Sequence, residues 1–87
     1  MAYRVELTKQ AEKSFGLIMK SQPEIGVRIA RAIDYIASHP DVGVPLKGAL
    51  KGLNKYRVGS YRIIYEKHRS HLLVIVIDIG HRKEIYR

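Results

Sequence analysis

The sequence predicts an α+β fold with its elements in the order β-α-α-β-β-β. Three observations carry that reading. Residues 2–7 alternate apolar and polar side chains, as a half-buried strand does. Residues 8–38 then place apolar side chains at helical spacing. Residues 55–77 return to short β-rich runs, punctuated by Gly59-Ser60 and a charged turn.

Each element follows from local chemistry. Tyr3, Val5 and Leu7 share one face of the first strand, and Arg4 and Glu6 the other. Thr8 is placed to cap a helix whose apolar stripe is Ala11, Phe15, Ile18 and Met19. Ser21-Gln22-Pro23-Glu24 reads as the start of a second helix, with Ser21 and Glu24 as a capping box. Pro23 fits the first turn, where its missing N–H needs no partner. Ile25, Ile29, Ala32, Ile33 and Ile36 form the buried stripe, Arg28, Arg31 and Asp34 lie outside it, and Pro40 ends the helix. Two helices with so short a link make an αα-hairpin laid on one face of a sheet. A helix-turn-helix is disfavoured, because the isoleucines of the second helix are needed for the core. Residues 41–54, rich in Gly, Pro and Lys, read as a loop pinned to the core by Leu46, Leu50 and Leu53. Residues 55–58 and 61–66 pair through a two-residue turn at Gly59-Ser60. Residues 67–71 turn the chain into 72–77, an apolar run expected as a central strand covered on both faces. Residues 84–86 are a candidate fifth strand at the edge.

Composition bounds the function. The chain has 87 residues, the length of one domain over 1–87. An apolar fraction of 46% is enough for a packed core. Without cysteine, neither disulfides nor thiolate metal sites contribute. The N-terminus has no signal-peptide pattern, and the run 72–77 is far too short to span a bilayer. A cytoplasmic location and no membrane association are expected. There is no P-loop, Rossmann glycine pattern or nucleophile elbow, and His39, His68, His71 and His81 lack metal-ligand spacing. Neither a cofactor nor a metal is predicted.

Charge is the informative feature. Sixteen Lys and Arg face eight Asp and Glu, a formal net charge of +8. Residues 47–69 carry Lys47, Lys51, Lys55, Arg57, Arg62, Lys67 and Arg69 against Glu66 alone. A solubilising surface would mix the signs, whereas this one is built to meet a polyanion, and RNA fits best. The two-residue turn sets Val58 opposite Tyr61, Arg57 opposite Arg62, Tyr56 opposite Ile63 and Lys55 opposite Ile64. One face then carries Tyr56, Val58, Tyr61, Ile63 and Tyr65, and the other Lys55, Arg57 and Arg62. Directly opposed arginines repel, and a bound phosphate relieves that repulsion through bidentate guanidinium contacts. The tail adds His81, Arg82, Lys83 and Tyr86 after Gly80, an imidazole, two cations and a phenol that can fold back to the basic face. A phenol beside cations can serve in proton transfer or stack on a base.

These two clusters resemble the RelE/ParE superfamily of bacterial and archaeal toxins. The segment Tyr56-Arg57-Val58-Gly59-Ser60-Tyr61-Arg62-Ile63-Ile64-Tyr65-Glu66 carries the resemblance, followed by Ile79-Gly80-His81-Arg82-Lys83-Glu84-Ile85-Tyr86. Ala2-Tyr3-Arg4-Val5-Glu6-Leu7 and Pro45-Leu46-Lys47-Gly48 fit as well. The resemblance implies an antiparallel sheet with both helices on one side, like that of small microbial ribonucleases. It also implies an acidic antitoxin as partner. In the RelE branch it implies cleavage of mRNA in the ribosomal A site, and in the ParE branch poisoning of DNA gyrase. For the RelE branch the matching residues are Lys55, Arg57, Arg62, Arg82 and Tyr86, expected as catalytic. Lys47, Lys51, His81 and Lys83 are expected to bind RNA. The shorter hairpin loop makes Arg62 the firmest match, and the chain stops at Arg87 where some relatives continue into a further helix. The expected function is a ribosome-dependent endoribonuclease using 2′-OH attack, with Tyr86 as base or stacking group and His81 as the alternative base. A gyrase poison and a bare RNA-binding module are the competing readings.

Overall fold

A computed structural model describes residues 2–81. The elements run β1 (Arg4–Leu7), α1 (Lys9–Ser21), α2 (Pro23–Ser38), β2 (Val44–Pro45), β3 (Asn54–Val58), β4 (Tyr61–His68) and β5 (Leu73–His81), with short 3-10 turns at Gly48–Leu50 and Arg69–His71. The strands form one sheet in the order β1-β5-β4-β3-β2. The candidate strand at 84–86 lies outside the described residues.

The α+β expectation holds, with both helices packed on one face of the sheet. Three strand pairings are antiparallel, as expected, but β1 runs parallel to β5, so the sheet is mixed. Hairpin-linked strands must be antiparallel; β1 meets its partner only after two helices and three strands, so no turn dictates its direction. The core gathers Ala11 and Ile18 of α1, Ile29, Ala32, Ile33 and Ile36 of α2, and Val58, Ile63, Tyr65, Val74, Val76 and Ile79 of the sheet.

Thr8 caps α1 as expected, its Oγ1 accepting from the Ala11 N–H at 3.1 Å. The same hydroxyl donates to the Ile77 carbonyl at 2.7 Å, tying the helix start to β5. The expected capping box at α2 does not form. Because α1 continues through Ser21, that hydroxyl bonds back to the Leu17 carbonyl one turn earlier, and Gln22 becomes the cap without a side-chain bond. The Met19 side chain of the predicted α1 stripe is exposed. Residues 41–54 are not all loop, since Val44 and Pro45 pair with Lys55 and Asn54. Leu46 and Leu53 are only half-buried and Leu50 is exposed, so the three leucines do not pin this segment. The anchors are Val42, packed on the core, and the Tyr65 hydroxyl.

The β3–β4 hairpin has the deduced register, Val58↔Tyr61, Arg57↔Arg62, Tyr56↔Ile63 and Lys55↔Ile64. Gly59 takes φ 58°, the left-handed turn position that favours glycine. Strand β5 is interior to the sheet, but within the apolar run 72–77 only the helix-side residues Val74 and Val76 are fully buried, while Leu73, Ile75 and Ile77 are half-covered. Opposite Ile64 and Tyr65 the ladder shifts from Asp78 to Val76, leaving Ile77 as a bulge. Ile79 therefore returns to the core face. The Asp78 carboxylate accepts from the Ile79 N–H at 2.9 Å, so side chains satisfy the bulge on both sides.

Candidate functional site

Strands β3, β4 and β5 place Arg57, Arg62 and Gly80 in one cross-strand row. Lys55 stands two residues from Arg57 on the same face, a rise of about 7 Å. With glycine at position 80, no β5 side chain stands beside Arg62 in that row. Arg57 is exposed, and Lys55 and Arg62 are half-buried. These three cations, deduced to share a face, do so.

The remaining expected residues distribute differently. His81 pairs with Tyr61, one row beyond Arg62. Its ring meets Tyr61 edge-on at 5.6 Å and 78°, and both line a cleft with Gln22 and Ile25. His81 therefore stands on the helix side of the sheet, opposite the Arg57–Arg62 face. Lys47 and Lys51 are exposed and flank the 3-10 turn at Gly48–Leu50, at the end of β3 away from the hairpin turn. Arg82, Lys83 and Tyr86 lie outside the described residues.

Charge pairing ties down the far end of the basic stretch. Asp41 binds Lys67 at 2.6 Å and Arg69 at 2.5 Å, and these hydrogen bonds hold its carboxyl below the ordinary value of 3.8. Glu66 engages His68 at 2.9 Å, and Glu6 lies 3.7 Å from Arg4. Among the described residues Arg57 has no ion pair. The sequence reading found no Glu–His pair, yet Glu66 and His68 form one on the face of Arg62, and their spacing of two on a strand is the signal that reveals it. It stands about 13 Å along β4 from Arg62, too far to act on the same phosphodiester.

The sequence reading also missed Arg28 and Arg31. Both are exposed on α2, where they line a groove against Tyr56 and Arg57. Their spacing of three marks one helix face, but which strand it meets is not a local property. Among the described residues, no group of three or more His, Asp or Glu side chains is placed to hold a metal ion, and no helix is long and apolar enough to cross a membrane.

Residues 5–86 match the model of the family described as ParE toxin of the type II toxin–antitoxin system parDE. This chain belongs to that toxin family. The toxin is 32% identical over 89 residues to toxin RelG of Mycobacterium tuberculosis H37Rv, covering 100% of this chain and 99% of the relative. Its fold is similar to that in the RelBE2 toxin–antitoxin complex of Mycobacterium tuberculosis, with TM-score 0.82, 28% identity, and coverage of 94% of this chain and 100% of that one. The intact E. coli RelBE toxin–antitoxin complex shares the fold at 18% identity, with TM-score 0.75 and coverage of 92% and 96%.

Proposed function

We propose that this toxin is an endoribonuclease that cleaves mRNA on the ribosome and thereby inhibits translation. The observation that carries the reading is the shared face of Lys55, Arg57 and Arg62, with glycine opposite Arg62. Opposed arginines cost stability unless an anion lies between them, and guanidinium forks match phosphate oxygens. In the reaction the ribose 2′-oxygen bonds to phosphorus as the P–O5′ bond breaks. The 2′-OH proton goes to a base, and the 5′-oxygen takes a proton as it leaves. Arg57 and Arg62 hold the phosphate, and Lys55 stabilises the charge that develops on its oxygens. The resemblance matches Arg82 and Tyr86 of the tail; Arg82, always charged, suits electrostatic stabilisation, Tyr86 suits proton transfer or stacking, and Lys83, Lys47 and Lys51 are the proposed RNA contacts. His81, on the helix side, is the alternative base. With no acid–base pair beside the cations among the described residues, the isolated toxin should be a poor nuclease whose site the ribosome completes. An acidic antitoxin is the proposed partner, since relatives are found in toxin–antitoxin complexes and this chain carries +8.

Single-turnover cleavage of ribosome-bound mRNA tests the assignment. Tyr86→Phe should lose about 10²- to 10⁴-fold if the hydroxyl moves a proton. It should stay active, with Tyr86→Ala impaired, if the ring only stacks. Full activity in Tyr86→Ala with loss in His81→Ala would overturn the choice of base.

The family model supports a second reading, because it describes ParE toxins, the branch that the resemblance connects with gyrase. Gyrase poisoning without ribosome-dependent cleavage would replace the ribonuclease reading.

A further inference from the structure

The helix side of the hairpin carries basic groups that the Lys55–Arg57–Arg62 face does not include. Arg28, Arg31 and Tyr35 stand at i, i+3 and i+7 on α2, one exposed stripe. Across a groove of about 350 Å³ this stripe faces Tyr56, Arg57 and Val58 of β3. Strand β2 pairs only with Asn54 and Lys55, so this part of β3 is an open sheet edge. Arg57 thus borders both the basic face and the groove. Around Arg28 and Gly59 the groove runs into a second cleft of about 470 Å³, where Ser60, Tyr61 and His81 stand. The Arg28 guanidinium reaches the turn itself, with a Cβ at Gly59 falling 3.7 Å from its Nη1.

Two properties of the surface identify its occupant. Among the described residues no carboxylate lines either cleft, and neither Arg28 nor Arg31 forms an ion pair. Aromatic rings alternate with the cations. Tyr35, 45% exposed, stacks on His39 at 4.4 Å and lies 6.1 Å from Tyr56. Cations for phosphates beside rings for bases make a single-strand nucleic-acid track. A partner helix would instead need apolar anchors, and among the described residues Tyr35 is the sole large exposed apolar side chain lining these clefts.

We propose that single-stranded RNA passes from the Arg57–Arg62 face around the open edge of β3 and continues along α2, with phosphates on Arg28 and Arg31 and a base on Tyr35. This rests on the reading of the toxin as an RNA-acting protein, and it adds a track outside the cleavage face.

The test is direct binding of full-length toxin to an unstructured oligouridine over a range of salt, alongside ribosome-dependent mRNA cleavage by the wild type. Replacing both arginines (Arg28→Ala with Arg31→Ala) should lower the log–log salt slope by about 1.4, two single-strand phosphate contacts. The paired lysine replacements should restore it. Tyr35→Ala should weaken binding roughly 5- to 160-fold without changing the slope, and Tyr35→Phe should bind like wild type. These side chains are exposed, and thermal melts check that each variant folds. If the slope is unchanged without the two arginines but falls in Arg62→Ala, RNA stays on the sheet face and this proposal alone is overturned. If the variants keep RNA binding but lose co-purification with the antitoxin, the track belongs to an acidic polypeptide, which also overturns it. If the wild type neither binds the oligonucleotide nor cleaves mRNA, both readings fall together.

Discussion

Replacing Tyr65 by phenylalanine isolates the contribution of one oxygen. Tyr65 is fully buried, and its hydroxyl donates to the Pro40 carbonyl at 2.8 Å and accepts from the Gly43 N–H at 2.9 Å. The two bonds clasp the segment leaving α2 against β4. Gly43 is required for this approach, because a Cβ there would overlap the phenol oxygen. Phenylalanine keeps the ring packing, so no cavity forms and the loss is polar only. Two hydrogen bonds at about 0.5–1.5 kcal/mol each give a cost of about 1–3 kcal/mol. For a chain of 87 residues the unfolding entropy is about 0.18 kcal/mol/K, so the melting temperature should fall by about 5–16 °C. Hydrogen exchange should show the Gly43 amide losing protection. Burial raises the Tyr65 phenol above its ordinary value of 10.0. That contribution is complete below pH 10.0 and is lost as pH rises through the folded value, so the gap between wild type and variant should close only in strong alkali. A melting temperature within about 2 °C of wild type at neutral pH would refute the clasp.

Arg57→Ala should act in opposite directions on stability and activity. Relief of the Arg57–Arg62 repulsion should raise stability by about 0.2–1 kcal/mol in a denaturant titration, while ribosome-dependent cleavage falls. Thr8→Ala removes both the α1 cap and the bond to the Ile77 carbonyl, and chemical unfolding should register a loss of about 1–2 kcal/mol that Thr8→Ser largely recovers. Asp41, with its carboxyl held below 3.8 by Lys67 and Arg69, contributes stability above the unfolded value that is lost as pH falls through the folded one. Acid melting curves of wild type should therefore fall more steeply below that value than those of Asp41→Asn.

How much of this could be read from the chain depends on how local each cause is. The β3–β4 register was legible because a two-residue turn fixes the pairing, and the period of two then assigns faces to Lys55, Arg57 and Arg62. Thr8 was legible because a cap acts within one turn. The parallel docking of β1 was not, since nothing in residues 4–7 names a partner some seventy residues away. Strand β2, two residues with a proline, carries no period. The uniform apolar run 72–77 hides the bulge, because alternation leaves no mark when every residue is apolar. Continuing the phase of Val74 and Val76 would have turned Asp78 into the core, set Ile79 opposite Arg62 and carried His81 to the face of Arg62. The Asp41 clamp and the Arg28–Arg31 groove join residues that meet only after folding.

The bulge at Ile77 also determines where this strand can change length. Removing a residue elsewhere in an interior strand inverts the orientation of everything beyond the deletion, a change that a packed sheet does not absorb. At Ile77 the ladder already skips one position, so deletion there would regularise the pairing and preserve the parity of residues 78–81. Ile79 would stay inward, Gly80 would remain across from Arg62, and His81 would keep its place against Tyr61. The loss would be confined to the Thr8 hydroxyl bond and the extra twist that a bulge imparts. When this toxin is aligned with relatives whose last strand is one residue shorter, the gap belongs at position 77.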